Sequence, residues 1–165
     1  HTLINQPAEL DEFIRDLNTS VNLITQGDRF ITFFIAEYDT RTRIIRYVNA
    51  GHNPPILVSK NRLLELNKGC IMLGSYAKIP GIEIGECRVD EDEAIILAYT
   101  DGLTDIRNSA GDFVDEKLLY RFVQENFQLS AEHFNHGLLT MLDTFRGEEN
   151  YPDDFTVLTC KIHNQ

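Results

Sequence analysis

Carboxylates stand at the ends of two apolar segments of this chain, where they are placed to bind a cation. Residues 94–99 form a nearly continuous apolar run, and Asp101 follows it after a single threonine. A carboxylate there costs free energy unless a cation, hydrogen-bond donors or water receive it. Near the C-terminus, Asp153 and Asp154 precede a β-branched run. Strand-end carboxylates suit a hard cation, although Asp-Gly and Pro-Asp-Asp are also ordinary turn sequences.

The spacing of the two acidic segments leads to a geometric expectation. Gly102 permits a sharp turn directly after Asp101, so that this carboxylate can point outward at the edge of a sheet. We therefore expect Asp101 and Asp153 to face each other across one edge and to share a cation site. The opposite placement, with the two carboxylates at different ends of the molecule, would leave both as turn residues.

The elements that position these residues follow from hydrophobic periodicity. A helical pattern opens at Pro7 and ends at the Gly27-Asp28 turn. Apolar or alternating runs predict strands at residues 30–38, 43–49, 56–59, 63–66, 82–89, 94–99 and 155–162. Asp115 and Ser130 are predicted to cap two further helices. One helix before the strands and two among the later ones predict an α+β fold of layered sandwich type.

Composition restricts the class of protein. The 165 residues are predicted to form one domain over 1–165, and 42% apolar with 25% charged residues is typical of a soluble globular protein. No apolar run approaches the ~20 residues that span a bilayer. The net charge of −11 argues against nucleic acid or an anionic membrane as partner. The three well-separated cysteines predict reduced thiols and a cytoplasmic location.

Four segments match a known family in order and over almost the whole chain. They are RFITFF at 29–34, YVNAGHNPP at 47–55, TDGLTD at 100–105 and DDFTV at 153–157. Together they resemble the stage II sporulation protein E/RsbU (SpoIIE/RsbU) branch of the metal-dependent (type 2C, PPM) serine/threonine protein phosphatases. The resemblance implies an α-β-β-α sandwich of mainly antiparallel sheets with two Mn²⁺ or Mg²⁺ ions at one edge. A metal-activated water would then attack the phosphate, with no protein nucleophile.

The resemblance also assigns roles to individual residues. Asp101 and Asp153 are implied to be metal ligands. Three neighbours are candidates for a further metal ligand or for supporting the site: Gly102, Asp105 and Asp154. Two residues of the second segment are candidates for contacting the phosphate or substrate: His52 and Asn53. The alternative for His52 is local packing and hydrogen bonding at a strand end.

The chain departs from the family in one motif. The family's first acidic motif, Gly-Asp-x-x-Gly-His-Gly, is not found upstream of the first predicted helix. We therefore expect an N-terminally truncated domain that lacks the first strands and the bridging aspartate, and that is nearly inactive alone. Exposed sheet edges and apolar surface would favour self-association. The implied substrate is a phosphorylated regulatory protein, such as an anti-sigma-factor antagonist, and a sensor or receiver domain is expected upstream in the full-length protein.

Two other functions compete with the phosphatase. The first is a non-catalytic module of the same fold that binds a phosphorylated or regulatory protein. The second is a two-metal cyclase-type enzyme, which also uses strand-end aspartates. The cyclase is disfavoured because no glycine-rich phosphate loop follows a strand. The Gly-Asp-x-x-Gly-His-Gly motif in the native sequence before residue 1 would favour catalysis, and its absence would favour the binding module.

Overall fold

The computed structural model describes residues 9–164, which fold as two compact units. The helices are α1 (Leu10–Thr25), α2 (Glu116–Asn126) and α3 (Ala131–Arg146). The strands are β1 (Phe33–Asp39), β2 (Ile44–Ala50), β3 (Ile56–Ser59), β4 (Arg62–Glu65), β5 (Gly69–Cys70), β6 (Gly85–Arg88), β7 (Glu93–Tyr99) and β8 (Val157–His163). The 3₁₀ turn Asp101–Leu103 follows β7. The mixed α+β class with mainly antiparallel sheets is confirmed.

The first unit contains residues 9–52 and 66–88, with α1 and one four-stranded sheet. In this sheet β2 pairs with β1 and β6 in antiparallel fashion, and with the two-residue strand β5 in parallel. The apolar face of α1, which includes the buried Leu10 and Ile14, packs with Val48 and Ala50 of β2. The predicted helix start at Pro7 lies outside the described residues.

The prediction that β1 begins at Phe30 was wrong. The β1–β2 ladder begins where Phe33 lies opposite Ala50. Strand β2 ends after Ala50, because the backbone turns at Gly51, whose φ of 71° lies in the left-handed region. Ile31 pairs instead with Leu73, its N–H donating to the Leu73 carbonyl at 2.9 Å. The apolar run of residues 30–38 therefore divides between two partners.

The second unit contains residues 53–65 and 89–164, with α2, α3 and an antiparallel sheet in the order β4-β3-β7-β8. Its core joins β3 and β7 to buried side chains of both helices, among them Leu119 and Phe134. Both predicted N-caps are confirmed: Asp115 Oδ1 accepts from Leu118 N–H at 2.8 Å, and Ser130 Oγ from His133 N–H at 3.3 Å. Within residues 9–164 no helix is long and apolar enough to cross a membrane.

Candidate metal centre at the end of β7 and β8

The sheet of the second unit brings both acidic segments to one end of two neighbouring strands. Strands β7 and β8 are antiparallel partners, and Tyr99 lies opposite Val157. The end of β7 and the start of β8 are therefore at the same edge. We call residues 101–105 the 101–105 turn and residues 150–156 the 150–156 segment. Both acidic stretches leave the sheet at this edge, which is the side on which a shared cation site was predicted.

Hydrogen bonds continue past the last ladder pair and connect the two segments directly. Thr100 N–H donates to the Thr156 carbonyl at 3.1 Å, as in a regular ladder. The return bond is different, because Thr156 N–H donates to the Thr100 side-chain Oγ1 at 2.9 Å. The Thr100 carbonyl instead accepts from Leu103 N–H at 3.1 Å. The backbone of β7 thus begins the 3₁₀ turn while its last threonine still holds β8.

Gly102 is required by a close contact between the two segments. A Cβ on this buried residue would lie 2.5 Å from the Asp154 carbonyl oxygen, far inside van der Waals contact. Its φ lies outside the left-handed region that favours glycine. The sequence therefore gave the wrong reason for this glycine. It allows two backbones to approach, whereas an unusual backbone angle is not needed.

Buried apolar side chains anchor the 101–105 turn in the core of the second unit. Leu103 and Ile106 are fully buried, whereas Asp101 and Asp105 are exposed. The Asp101 carbonyl accepts from Thr104 Oγ1 at 2.8 Å and from Asp105 N–H at 3.0 Å. Asp101 Oδ1 also accepts from Gly102 N–H at 3.1 Å. The turn is therefore internally bonded and places two carboxylates at the surface.

The 150–156 segment is held by side chains of α3 and by the half-buried Phe155, which packs against the core of the second unit. The Tyr151 hydroxyl donates to Asp143 Oδ1 at 2.8 Å, and the Arg146 guanidinium lies 4.6 Å from the centre of the Tyr151 ring. Arg146 Nε also donates to Asp143 Oδ1, at 2.9 Å. The hydrogen bonds from Tyr151 and then from Arg146 lower the pKa of Asp143. Asp153 and Asp154 are exposed, and Asp153 Oδ1 accepts from the Asp154 N–H at 2.8 Å.

The two predicted substrate-contact residues fall in different units. His52 is half-buried in the first unit, where its N–H donates to Asn49 Oδ1 at 2.8 Å and its carbonyl accepts from Asn49 Nδ2 at 2.9 Å. The buried Asn49 therefore fixes this turn. Asn53 belongs to the second unit and lines a cavity of about 590 Å³ together with Thr104 of the 101–105 turn. Only Asn53 is thus placed beside the acidic turn within one unit.

Sequence reasoning missed the polar wall of that cavity. Glu65 lines it, and the Tyr120 hydroxyl of α2 donates a short hydrogen bond to Glu65 Oε1. Burial raises the pKa of Tyr99, another lining residue, and burial together with the Glu65 contact raises the pKa of Tyr120. Both phenols are therefore neutral near pH 7, where they do not act as bases, and the Tyr120 hydroxyl serves as a hydrogen-bond donor to Glu65. No local sequence signal pairs Glu65 with Tyr120, which are 55 residues apart.

The donor atoms at this edge fit Mg²⁺ or Mn²⁺. Exposed carboxylates on two touching segments provide hard oxygen ligands, which these cations prefer over thiolate or imidazole. Asp101 and Asp153 would be the holding residues, with Asp105 and Asp154 beside them. Residues 9–164 by themselves contain no cluster of three or more His, Cys, Asp or Glu side chains able to hold a metal. The described carboxylates by themselves therefore do not make up such a cluster.

Solved structures identify the class of fold. The chain superposes on the SiaA-PP2C domain of Pseudomonas aeruginosa with a TM-score of 0.79 at 13% identity, covering 91% of this chain and 59% of that one. The Mn-presoaked phosphatase domain of the cell fate determinant SpoIIE from Bacillus subtilis gives a TM-score of 0.65 at 12% identity, covering 99% of this chain and 71% of that one. The fold is therefore that of PP2C-type phosphatase domains.

Sequence comparison identifies the family. The profile of the Stage II sporulation protein E (SpoIIE) family matches residues 1–163, so the chain belongs to this family. It is also 28% identical over 107 residues to Protein IcfG of Synechocystis sp. (strain ATCC 27184 / PCC 6803 / Kazusa), an alignment that covers 62% of this chain and 16% of IcfG. The chain thus corresponds to a small part of that curated relative and to about three fifths of the SiaA domain. The resemblance to the SpoIIE/RsbU branch is confirmed.

Proposed function

We propose that this chain contributes to a metal-dependent protein phosphatase that hydrolyses phosphoserine or phosphothreonine on a regulatory protein. The observation that carries the proposal is the contact between the 101–105 turn and the 150–156 segment at the end of β7 and β8. Thr100 bonds to Thr156, and Gly102 lies against the Asp154 carbonyl. Two chain segments that carry exposed carboxylates are therefore in contact, in a chain that belongs to the SpoIIE family.

The acidic residues and the cavity residues have different proposed roles. Asp101 and Asp153 bind the cations, while Asp105 and Asp154 add negative charge beside them. Two divalent ions, when bound, supply an activated water and neutralise the phosphoryl oxygens. The chain itself has a net charge of −11, so its general field repels a phosphorylated substrate unless cations reverse the field at this edge. Asn53 and Thr104, which line the adjoining cavity, are placed to contact the protein part of the substrate.

The finer assignments belong to the same proposal. The substrate is a phosphorylated regulatory protein, such as an anti-sigma-factor antagonist. The reaction takes place in the cytoplasm, and an upstream sensor or receiver domain controls it. Both β8 and β1 end the strand order of their own sheets, so either edge is available for self-association. Membership of the SpoIIE family supports these assignments.

The test is Asp101→Asn in the full-length protein with Mn²⁺. The change removes a charge but hardly any volume, so we expect kcat/KM on a phosphoserine protein to fall by about 100-fold or more without a shift in the urea midpoint. The matched control is Asp16→Asn, an exposed aspartate of α1. Undiminished turnover by Asp101→Asn would refute the proposed role and leave Asp101 as a turn residue.

A second experiment concerns the 165 residues alone. We expect little or no turnover, because residues 9–164 offer no cluster of three metal-binding side chains to hold two cations at catalytic separation. The full-length protein, assayed in parallel with Mn²⁺, is expected to turn over. Equal rates for the two would show that the residues described here already form the complete site.

The lack of a cluster of three metal-binding side chains within residues 9–164 also supports the second candidate function. On this proposal, a SpoIIE family chain that has no cluster of three metal-binding side chains within residues 9–164 binds a phosphorylated or regulatory protein without hydrolysing it. The two functions separate in the full-length protein. Phosphate release with Mn²⁺ establishes the phosphatase, whereas binding of the phosphoprotein without release, at any Mn²⁺ concentration, establishes the binding module.

A further inference from the structure

We infer that Thr100 is a positioning residue, whose side-chain hydroxyl holds the Asp101 turn against the segment that carries Asp153 and Asp154. The inference deepens the proposed function and rests on it for the use of the site. Thr100 does not touch a cation or a substrate in this assignment. It acts by setting the relative placement of carboxylates that come from chain segments more than 50 residues apart, since Thr100 and Thr156 are separated by 56 positions.

The geometry shows why a side chain is needed at this position. In a regular antiparallel ladder, facing residues exchange two backbone hydrogen bonds. Thr100 N–H makes its bond to the Thr156 carbonyl at 3.1 Å, but the Thr100 carbonyl is already used by Leu103 N–H at 3.1 Å. One backbone carbonyl therefore serves the 3₁₀ turn and not the ladder. The Thr156 N–H therefore requires an acceptor other than the Thr100 carbonyl.

The Thr100 hydroxyl is that acceptor. Thr156 N–H donates to Oγ1 at 2.9 Å, which replaces the missing carbonyl and extends the β7–β8 pairing by one residue. The chain can thus begin a turn at Asp101 while its neighbour remains in register. The position requires an acceptor close to the backbone, which a hydroxyl on Cβ supplies. Serine satisfies this requirement, and valine, which has nearly the same shape as threonine, does not.

A second contact depends on the register that Thr100 sets. Gly102 lies so close to the 150–156 segment that a Cβ would be 2.5 Å from the Asp154 carbonyl oxygen. This approach requires the backbone of residues 100–102 to keep its register with the backbone of the 150–156 segment. Loss of the hydroxyl's bond to Thr156 N–H removes one of the two hydrogen bonds between residues 100 and 156 and leaves the bond from Thr100 N–H to the Thr156 carbonyl. The placement of Asp153 and Asp154 relative to Asp101 is then less tightly fixed.

The test compares Thr100→Val with Thr100→Ser in this chain by ¹⁵N NMR. We expect Thr100→Val to speed amide exchange at Thr156 by about five-fold or more, because the bond to that N–H is lost. Thr100→Ser should stay within about two-fold of wild type. The melting temperature reports on the fold as a whole, and valine should preserve it because its volume and β-branching match those of threonine. Unchanged exchange in Thr100→Val, or equal acceleration in both variants, overturns the inference.

Paramagnetic broadening by Mn²⁺ supplies the functional readout. In wild type we expect Mn²⁺ to broaden amide signals of residues 101–105 and 153–156, even if binding is weak. The concentration that gives half the effect should rise by about five-fold in Thr100→Val and by less than two-fold in Thr100→Ser. If wild type shows no broadening at these residues, this chain alone does not hold the cation, and amide exchange at Thr156 decides on Thr100, while Asp101→Asn in the full-length protein decides on the proposed function. If broadening is equal in wild type and Thr100→Val, the hydroxyl does not position the carboxylates.

Discussion

The two acidic segments at the end of β7 and β8 are held in place by different kinds of contact. The 101–105 turn is anchored by the fully buried side chain of Leu103, and its exposed carboxylates lie above the core. In the 150–156 segment the half-buried Phe155 packs against the same core, and the contacts to α3 are exposed, chiefly Tyr151 to Asp143 and Arg146 to the Tyr151 ring. Thr100 and Gly102 are where the two segments meet.

This difference has an energetic consequence. Burial of a large apolar side chain stabilises a fold by several kcal/mol, whereas an exposed hydrogen bond contributes far less. The 101–105 turn should therefore persist as long as the second unit is folded. The 150–156 segment, whose Phe155 is only half-buried and whose other contacts to α3 are exposed, should open locally at lower free energy. Four measurements test this comparison.

The largest effect is expected for Leu103→Ala. Leu103 has 0% exposure and belongs to the core of the second unit, so truncation leaves a cavity. We expect the free energy of unfolding to fall by about 2–5 kcal/mol, measured by urea denaturation. The control is Leu139→Ala on α3, whose side chain is 43% exposed and should cost less than about 1 kcal/mol. Similar losses for both would show that the turn is not anchored by the core.

A smaller loss is expected for Gly102→Ala. The added methyl would meet the Asp154 carbonyl at 2.5 Å, so one of the two backbones must move. We expect a loss of about 1–3 kcal/mol in urea denaturation, together with chemical-shift changes confined to residues 101–105 and 153–156. Gly81→Ala is the matched control, because nothing lies within 4 Å of the Cβ built there. A Gly102→Ala protein with wild-type shifts would contradict the close approach.

Tyr151→Phe should affect only the second of the two segments. The change removes the hydroxyl that donates to Asp143 and leaves the ring on Arg146 and Phe155. We expect amide exchange in residues 149–155 to rise by about two- to five-fold, with no change in the 101–105 turn. Tyr76→Phe, at an exposed tyrosine of the first unit, should change neither. Faster exchange in both segments would mean that they open as one unit.

The smallest effect is the pH dependence of the Tyr151 contact. Hydrogen bonds from Tyr151 and then Arg146 hold the pKa of Asp143 below its ordinary value of 3.8. For a carboxyl with a depressed folded-state pKa, the stabilisation is present above the unfolded value and is lost as pH falls through the folded value. The Tyr151 ring signals should therefore be constant from pH 7 to 5 and change only below 3.8. In Tyr151→Phe the Asp143 carboxyl should titrate at higher pH than in wild type.

Much of the secondary structure could be predicted because its causes are local. Asp115 and Ser130 cap α2 and α3 through amides three residues away, so the cap and its partner are visible in one short window. The apolar run at 94–99 predicted the buried strand β7 for the same reason. Where a run has two partners, as at residues 30–38, periodicity alone placed the strand start three residues too early.

The acidic residues themselves were also visible in the sequence. Asp101 and Asp153 stand out because an ionised carboxylate beside an apolar run costs free energy unless a cation, hydrogen-bond donors or water receive it. What the sequence could not supply was the contact between their segments, because it joins residues more than 50 positions apart. The role of Gly102 was misjudged for this reason, since the carbonyl that excludes a side chain belongs to Asp154. Likewise nothing near Glu65 indicated Tyr120.

The sequence by itself therefore determined most of the helical and extended segments, where α2 and α3 begin and which carboxylates stand at strand ends. Those properties depend on hydrogen bonds and side-chain periodicity within a few residues. Only the tertiary structure decided that the Thr100 hydroxyl, and not its carbonyl, receives the Thr156 N–H. The reason is that a strand pairing is closed by distant residues, and the acceptor that is left over depends on how the chain turns after the strand ends.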